Sequence, residues 1–292
     1  MTTPLIEASK MNTNQLLLEA LDSGWKKYRT QLKRCLDEFS DEAVHDLRVA
    51  TRRMLALVQL LDSISSRPRL QKLIDAFKDQ LDEFDDVRDT QVILAGVSEI
   101  LSELPQLQDF QKHLQTSEEK LLRNLRKKIK QLESSKVDKR IQKTHESIET
   151  EMNGDLESQI MQAVDDAYHL IKQRYGWVDL DRPTTIHRVR IAFKSFRYMV
   201  EIIHPLLSDF PSENLKRMDA YQSLMGEIQD TEVFAQTLAD YSEHASLPDP
   251  EPVHRYYERR HADAISAYTA QMKQLDTFWR STPEQPFPWE KN

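Results

Sequence analysis

The stretch that decides the fold is Val44-His45-Asp46-Leu47-Arg48-Val49-Ala50-Thr51-Arg52-Arg53, because a related stretch recurs 187 − 45 = 142 residues later. That second copy reads Ile186-His187-Arg188-Val189-Arg190-Ile191-Ala192-Phe193-Lys194-Ser195. A downstream pair repeats at nearly the same offset. Arg88-Asp89-Thr90-Gln91-Val92 matches Gln229-Asp230-Thr231-Glu232-Val233, and 230 − 89 = 141. Two matches at nearly one offset mark an internal duplication. Apolar residues in each copy recur at the three-and-four spacing of an amphipathic helix. The expected fold class is therefore all-α. Residues 1–150 form one half and 155–292 the other, each a bundle of about four helices, giving about eight to ten long helices in one domain.

Outward from the first copy, Leu18, Leu21, Trp25, Tyr28, Leu32, Cys35, Leu36 and Phe39 give a helix ending near Ser40. Ser40-Asp41-Glu42 then reads as an N-cap with acidic residues in the next first turn. That second helix stops before Pro68. A third runs from Leu70 to Phe84, with a break expected at Asp85-Asp86 before it continues to Leu101. A charged helix covers Leu107–Leu132. Glu151 to Asp155 reads as a linker. In the second half, helices are expected over Thr185–His204, over Ser212–Tyr241 and over Val253–Phe278, with Pro183 at an early helical position. Leu247 to Pro252 reads as a loop and the tail from Pro283 as irregular.

Composition agrees with helices. The 292 residues include only 5 glycines, where average usage predicts roughly 20, so tight hairpins are scarce. The net charge of −8 excludes a uniformly basic nucleic-acid binder, although it does not say where the positive charges sit. The single cysteine, Cys35, allows no intrachain disulfide or cysteine-rich zinc site, and its apolar neighbours make it a core thiol. Met1 to Lys10 carries no signal-peptide pattern, and no apolar run approaches the about 18 residues of a membrane span. A cytoplasmic protein is expected.

Positions 0, +3, +7 and +10 of a helix share an arc of about 80°. In the first copy they are His45, Arg48, Arg52 and Leu55; in the second, His187, Arg190, Lys194 and Arg197. Each half thus presents a basic row. Like charges one turn apart repel, so such a row implies an anionic partner. Arginine offers planar donors to phosphate oxygens, lysine a point charge, and histidine a donor that gains charge beside an anion. Facing rows make a furrow for a long anion. The competing reading is a solvated charged face, which has no need of matching His and Arg in both halves.

At these residues the sequence resembles the CHAD family, the histidine-containing α-helical domains. It carries the doubled His-x-x-Arg helix, the downstream Asp-Thr-x-Val segments with Leu224-Met225-Gly226 before the second, and a late Phe278-Trp279. The resemblance implies two four-helix bundles around a basic central channel that binds inorganic polyphosphate without catalysis, metal or cofactor. It also implies an association with polyphosphate granules and their proteins. No segment resembles the triphosphate-tunnel enzyme domain to which the family is often fused, so a stand-alone domain is expected. By position, the polyphosphate contacts are His45, Arg48, Arg52, Arg53, His187, Arg190, Lys194 and Arg197. Three residues depart from the pattern. Leu55 stands where a basic residue is usual, Ser195 where Arg or Lys is, and Asp85 where Gly often is.

Further contacts are sought among Lys78, Arg88, Lys120, Arg123, Arg126, Lys216, Arg255 and Arg259. Lys120 to Lys143 is a basic run that includes Lys130. Three other functions compete. Asp85, Asp86 and Asp89 spell the Asp-Asp-x-x-Asp of helical Mg-dependent diphosphate enzymes, but Gly226-Glu227-Ile228-Gln229-Asp230 does not supply the second cluster such enzymes use. His45-Asp46 could serve a helical metal phosphohydrolase, yet Asp46 becomes Arg188 in the other half. Nucleic acid fits poorly, because the His45 row lacks stacking aromatics and Phe193 and Tyr198 read as core. If His45 and His187 gain charge on binding, the anion binds more tightly at pH 6 than at pH 8.

Overall fold

The computed structural model describes residues 12–129, 135–150 and 155–290. The polypeptide there is helical, and no strand occurs among the described residues. The first half contains α1 (Thr13–Glu38), α2 (Asp41–Ile64), α3 (Pro68–Ile100), α4 (Gln108–Ile129) and α5 (Ser135–Thr150). The second contains α6 (Leu156–Tyr175), α7 (Pro183–Ile203), α8 (Glu213–Ser242) and α9 (Glu251–Gln271). The duplication is visible in the boundaries. The first residue of α7 follows that of α2 by 183 − 41 = 142, and the last residue of α8 follows that of α3 by 242 − 100 = 142. The end of α9 follows that of α4 by 271 − 129 = 142.

Local chemistry sets these ends. Ser40 accepts from the Ala43 N–H at 3.2 Å and starts α2, with Asp41 and Glu42 in the first turn, as its sequence predicts. Pro68 and Pro183 open α3 and α7, where a missing N–H costs no hydrogen bond. Phe39 ends α1 in the left-handed conformation (φ 51°), an uncommon state for a residue with a Cβ.

Two sequence expectations need correction. Asp85-Asp86 does not interrupt α3, which runs unbroken from Pro68 to Ile100 because Phe84 and Val87 on either side are both buried and keep the helix on the core. The tail is not wholly irregular either. It forms a 3-10 turn at Pro288–Glu290, and Phe287 and Trp289 pack on Trp279 and Phe210. The expected linker lies mostly outside the described residues, as do Met1–Lys10 and Lys130.

Within the first half α2 packs on α1 and α3, and α3 on α4; within the second α7 packs on α6 and α8, and α8 on α9. The halves meet where α2 crosses α7 and α6, and where α3 meets α8. Their cores are continuous. One apolar cluster runs from Leu17, Tyr28 and Phe77 through Tyr168, Phe193 and Tyr221 to Trp279. A second unites the far ends of α3 and α4 (Val97, Phe110) with those of α8 and α9 (Phe234, Tyr257). The symmetry fails at α5. It packs on α1 and α3, whereas 142 residues later, over 277–290, the described residues form no α-helix: buried Phe278 and Trp279 and the 3-10 turn Pro288–Glu290 stand there instead. Among the described residues, no helix is long and apolar enough to cross a membrane.

Candidate functional site

Between α2, α3, α7 and α8, at the seam of the two halves, lies a cavity of about 520 Å³. Its position follows from the repeat. The buried faces of α2 (Val44, Leu47, Met54) and α7 (Ile186, Val189, Phe196) turn into the core, which leaves the basic rows facing each other across the seam. His45, Arg48 and Arg52 line it from α2, and His187, Arg190 and Lys194 from α7. Lys78 and Arg88 reach it from α3. Leu55 and Ser195 are on the wall, and Ser195 Oγ donates to Gln59 Oε1 at 3.1 Å.

Arg53 and Arg197 are placed differently. Arg53 follows Arg52 by one residue, a turn of about 100° that takes it out of the arc. It reaches Glu201 at 3.3 Å and lies over the Tyr198 ring at 5.9 Å. Arg197 is in the arc but is buried and internally satisfied. Glu201, one turn further along α7, takes Nη1 at 2.6 Å, Asp219 stands 3.4 Å from the same atom, and Nε donates to Gln222 at 3.1 Å. Neither residue lines the cavity.

The cavity is not purely basic. Asp85, Asp89 and Asp230 share it, and Asp85 is ion-paired with Arg48. Asp89 and Asp230 are repeat equivalents, so the acidic pair was written in the same duplication as the basic rows. Gln59, Tyr198, Gln229 and Asp230 are lining residues that a search for cations passes over. The signal for Gln229 and Asp230 was present in the downstream repeat.

Burial and crowding act on many of the charges here. Desolvation, then the neighbouring Arg52 and Arg190, push the Lys194 amine down to about 6. Desolvation and Arg48 bring Arg52 to about 10, still cationic at neutral pH. Arg88 and Arg190 are lowered by burial as well. His45 and His187 fall below the ordinary imidazole value, by burial and then by Arg88 and Arg190 respectively. Asp89 and Asp230 are raised by burial. Every one of these shifts opposes charge, and burial is the first cause of each, so the charged forms of both the cations and the carboxylates lose hydration in the free site. The Arg48 Nε, Arg190 Nε and His187 Nδ1 atoms are buried without a hydrogen-bond partner. The two arginine Nε–H groups are buried donors of the kind an incoming anion satisfies.

The family model of the CHAD domain matches residues 19–239, which takes in both rows and the whole cavity. The chain belongs to the CHAD family. A solved structure, the crystal structure of the CHAD domain from the plant Ricinus communis, superimposes with a TM-score of 0.65 at 18% identity. The alignment covers 94% of this chain and 93% of that one, a likeness of fold. No curated protein matches the sequence.

Elsewhere on the CHAD domain the other basic residues lie on the outside. Lys120 and Arg123 are exposed on α4, and Arg126 is exposed over the Phe39 ring at 5.6 Å. Lys216 pairs with Glu213 at 3.2 Å and Arg255 with Glu251 at 3.5 Å, while Arg259 is exposed on α9. None lines the cavity. Asp86 is exposed outside it, and Asp46 is bound by Arg34 at 2.8 Å. Among the described residues, no group of three His, Cys, Asp or Glu is placed to hold a metal ion.

Proposed function

We propose that this CHAD domain binds inorganic polyphosphate in the cavity between α2, α3, α7 and α8, holding it without chemical turnover. One observation carries the reading. Two repeat-related basic rows converge on one cavity and leave the buried Nε–H donors of Arg48 and Arg190 unpaired there. Phosphate oxygens are the acceptors that suit arginine forks, and a repeating anion suits a repeated row. The wall offers little to a base. Phe193 is fully buried, and Tyr198 is 5% exposed with Arg197 over its ring at 4.6 Å. That supports phosphate chains over nucleic acid, whose binding gains from stacking on open aromatics.

Turnover is disfavoured by the same geometry. Ser195 donates to Gln59 rather than to a histidine and is not an activated nucleophile. The Asp-Asp-x-x-Asp carboxylates do not converge, since Asp85 is held by Arg48 and Asp86 faces solvent. The cytoplasm, and polyphosphate granules within it, are the setting in which such a ligand would be met.

The test is a titration with long-chain polyphosphate and, in parallel, single-stranded DNA of matched charge at physiological salt. The expected result is selective binding of polyphosphate, weakened by about 100-fold or more in Arg48→Glu/Arg190→Glu. Equal binding of both polymers, or undiminished binding by a folded double variant, would reject the proposal.

A further inference from the structure

The two halves of the cavity share the carboxylates Asp89 and Asp230, the latter acting on Arg190, but differ in charge at one repeat position. Position 85 of α3 corresponds to position 226 of α8 (226 − 85 = 141), the offset that also relates Asp89 to Asp230. In the first half that position is an aspartate whose carboxylate is paired with Arg48 Nη2. In the second it is a glycine, and an ideal Cβ there would stand 3.7 Å from both Nε and Nη2 of Arg190. Bare helix backbone therefore faces the Arg190 guanidinium at the place where the first half supplies an anion. Arg190 Nε is buried without a partner, and so is His187 Nδ1 one turn before it.

We propose that the cavity contains one open phosphoryl subsite, formed by Arg190, His187 and the backbone face at Gly226, and one closed subsite at Arg48, where Asp85 is an internal anion that a phosphate must displace. This rests on the polyanion reading above and gives it a direction. A ligand with one or two phosphoryl groups, such as pyrophosphate, fills the open subsite and leaves the Arg48–Asp85 pair intact. A long chain that continues across the seam offers oxygens to Arg48 and expels the Asp85 carboxylate. Asp85 thus sets the preference for short over long phosphates, and it does so by competition rather than by contact with the ligand.

The experiment compares pyrophosphate and long-chain polyphosphate by calorimetry on the full chain. The Asp85→Ala variant keeps a good helix former in α3 while removing the carboxylate. It is expected to tighten long-chain binding about tenfold, the equivalent of one charge-assisted contact released, and to change pyrophosphate binding much less. Asp89→Asn removes a cavity carboxylate that does not pair with Arg48, and it should change long-chain binding no more than about twofold if only the general field is at work. Gly226→Asp, whose Cβ meets Arg190 only at ordinary van der Waals distance, is expected to weaken pyrophosphate about tenfold. Asp85→Asn provides a second, nearly isosteric variant. If Asp85→Ala and Asp85→Asn both leave long-chain affinity as in the wild type, or raise it no more than Asp89→Asn does, the internal-anion assignment is wrong while the polyphosphate reading stands. A wild-type protein that binds neither phosphate overturns both.

Discussion

The indole N–H of Trp279 donates to Asp165 Oδ1 at 2.7 Å, and the same carboxylate receives Arg280 through Nε at 2.9 Å and Nη2 at 2.6 Å. Asp165 is 8% exposed and Trp279 1%. This joins α6 to the chain that follows α9, across a stretch where the described residues of the second half form no counterpart of α5. Removing the carboxylate leaves a mostly covered arginine and a buried indole donor unmatched. Asp165→Ala is therefore expected to destabilise the fold by about 3–5 kcal/mol, read as a fall of about 5–15 °C in Tm. An unchanged melting temperature would show that the cluster is not a structural tie.

The docked tail gives a second stability prediction. Phe287 and Trp289 stack at 4.6 Å, and both rings meet Trp279. Trp289→Ala is expected to cost about 2–3 kcal/mol, less than a core tryptophan because the ring is only partly buried. Limited proteolysis offers a direct check, since the variant should be clipped after residue 280 faster than the wild type.

Lys194 gives a pH signature to stability. Its amine titrates at about 6 in the folded chain, against 10.5 as its reference value, so the unfolded chain binds the extra proton between those limits. Stability should rise with pH across that window. Lys194→Met removes the group and with it this contribution to the slope. At pH 7 the variant is expected to be more stable than the wild type, on the order of 2 kcal/mol after allowance for a cavity open to solvent. The gain should vanish toward pH 10. A destabilised variant at pH 7 would contradict the assignment.

Binding should carry the opposite proton flow. A phosphate chain in the cavity favours the charged form of Lys194, His45 and His187 and the neutral form of Asp89 and Asp230. All five changes take up protons. Affinity is thus expected to rise roughly three- to tenfold per unit as pH falls from 8 toward 6. Calorimetry at pH 7.5 in buffers of different ionisation heat should report an uptake of about one proton. A flat affinity profile with no proton uptake would remove Lys194 and the histidines from the binding site.

Most of the helices could be read locally, because the apolar spacing of α1 and α2 and the Ser40 cap are short-range features. The basic rows were equally legible, since the residues that line one side of a helix are fixed by number along it. What sequence could not supply is the partner of each charge. Arg197 has the right phase for the cavity, yet Glu201 and Asp219 claim it, and Asp219 lies on a different helix. Asp85-Asp86 looked like a break because two adjacent acids weaken a helix locally, whereas the buried Phe84 and Val87 hold it in tertiary context. The tail was unreadable for a related reason: Phe287 and Trp289 acquire their role only from Trp279 and Phe210, brought together by the fold.

Cys35, the sole cysteine of the chain, is fully buried, and desolvation lifts its thiol to about 11. At neutral pH it is shielded and protonated, so it is silent toward maleimides and iodoacetamides. The native protein is in effect already the cysteine-free background that labelling work has to engineer elsewhere. A cysteine introduced at Ile191, which is 51% exposed at the rim of the cavity, becomes the one reactive thiol. A fluorophore attached there turns occupancy of the cavity into an optical signal without disturbing any charged residue inside it.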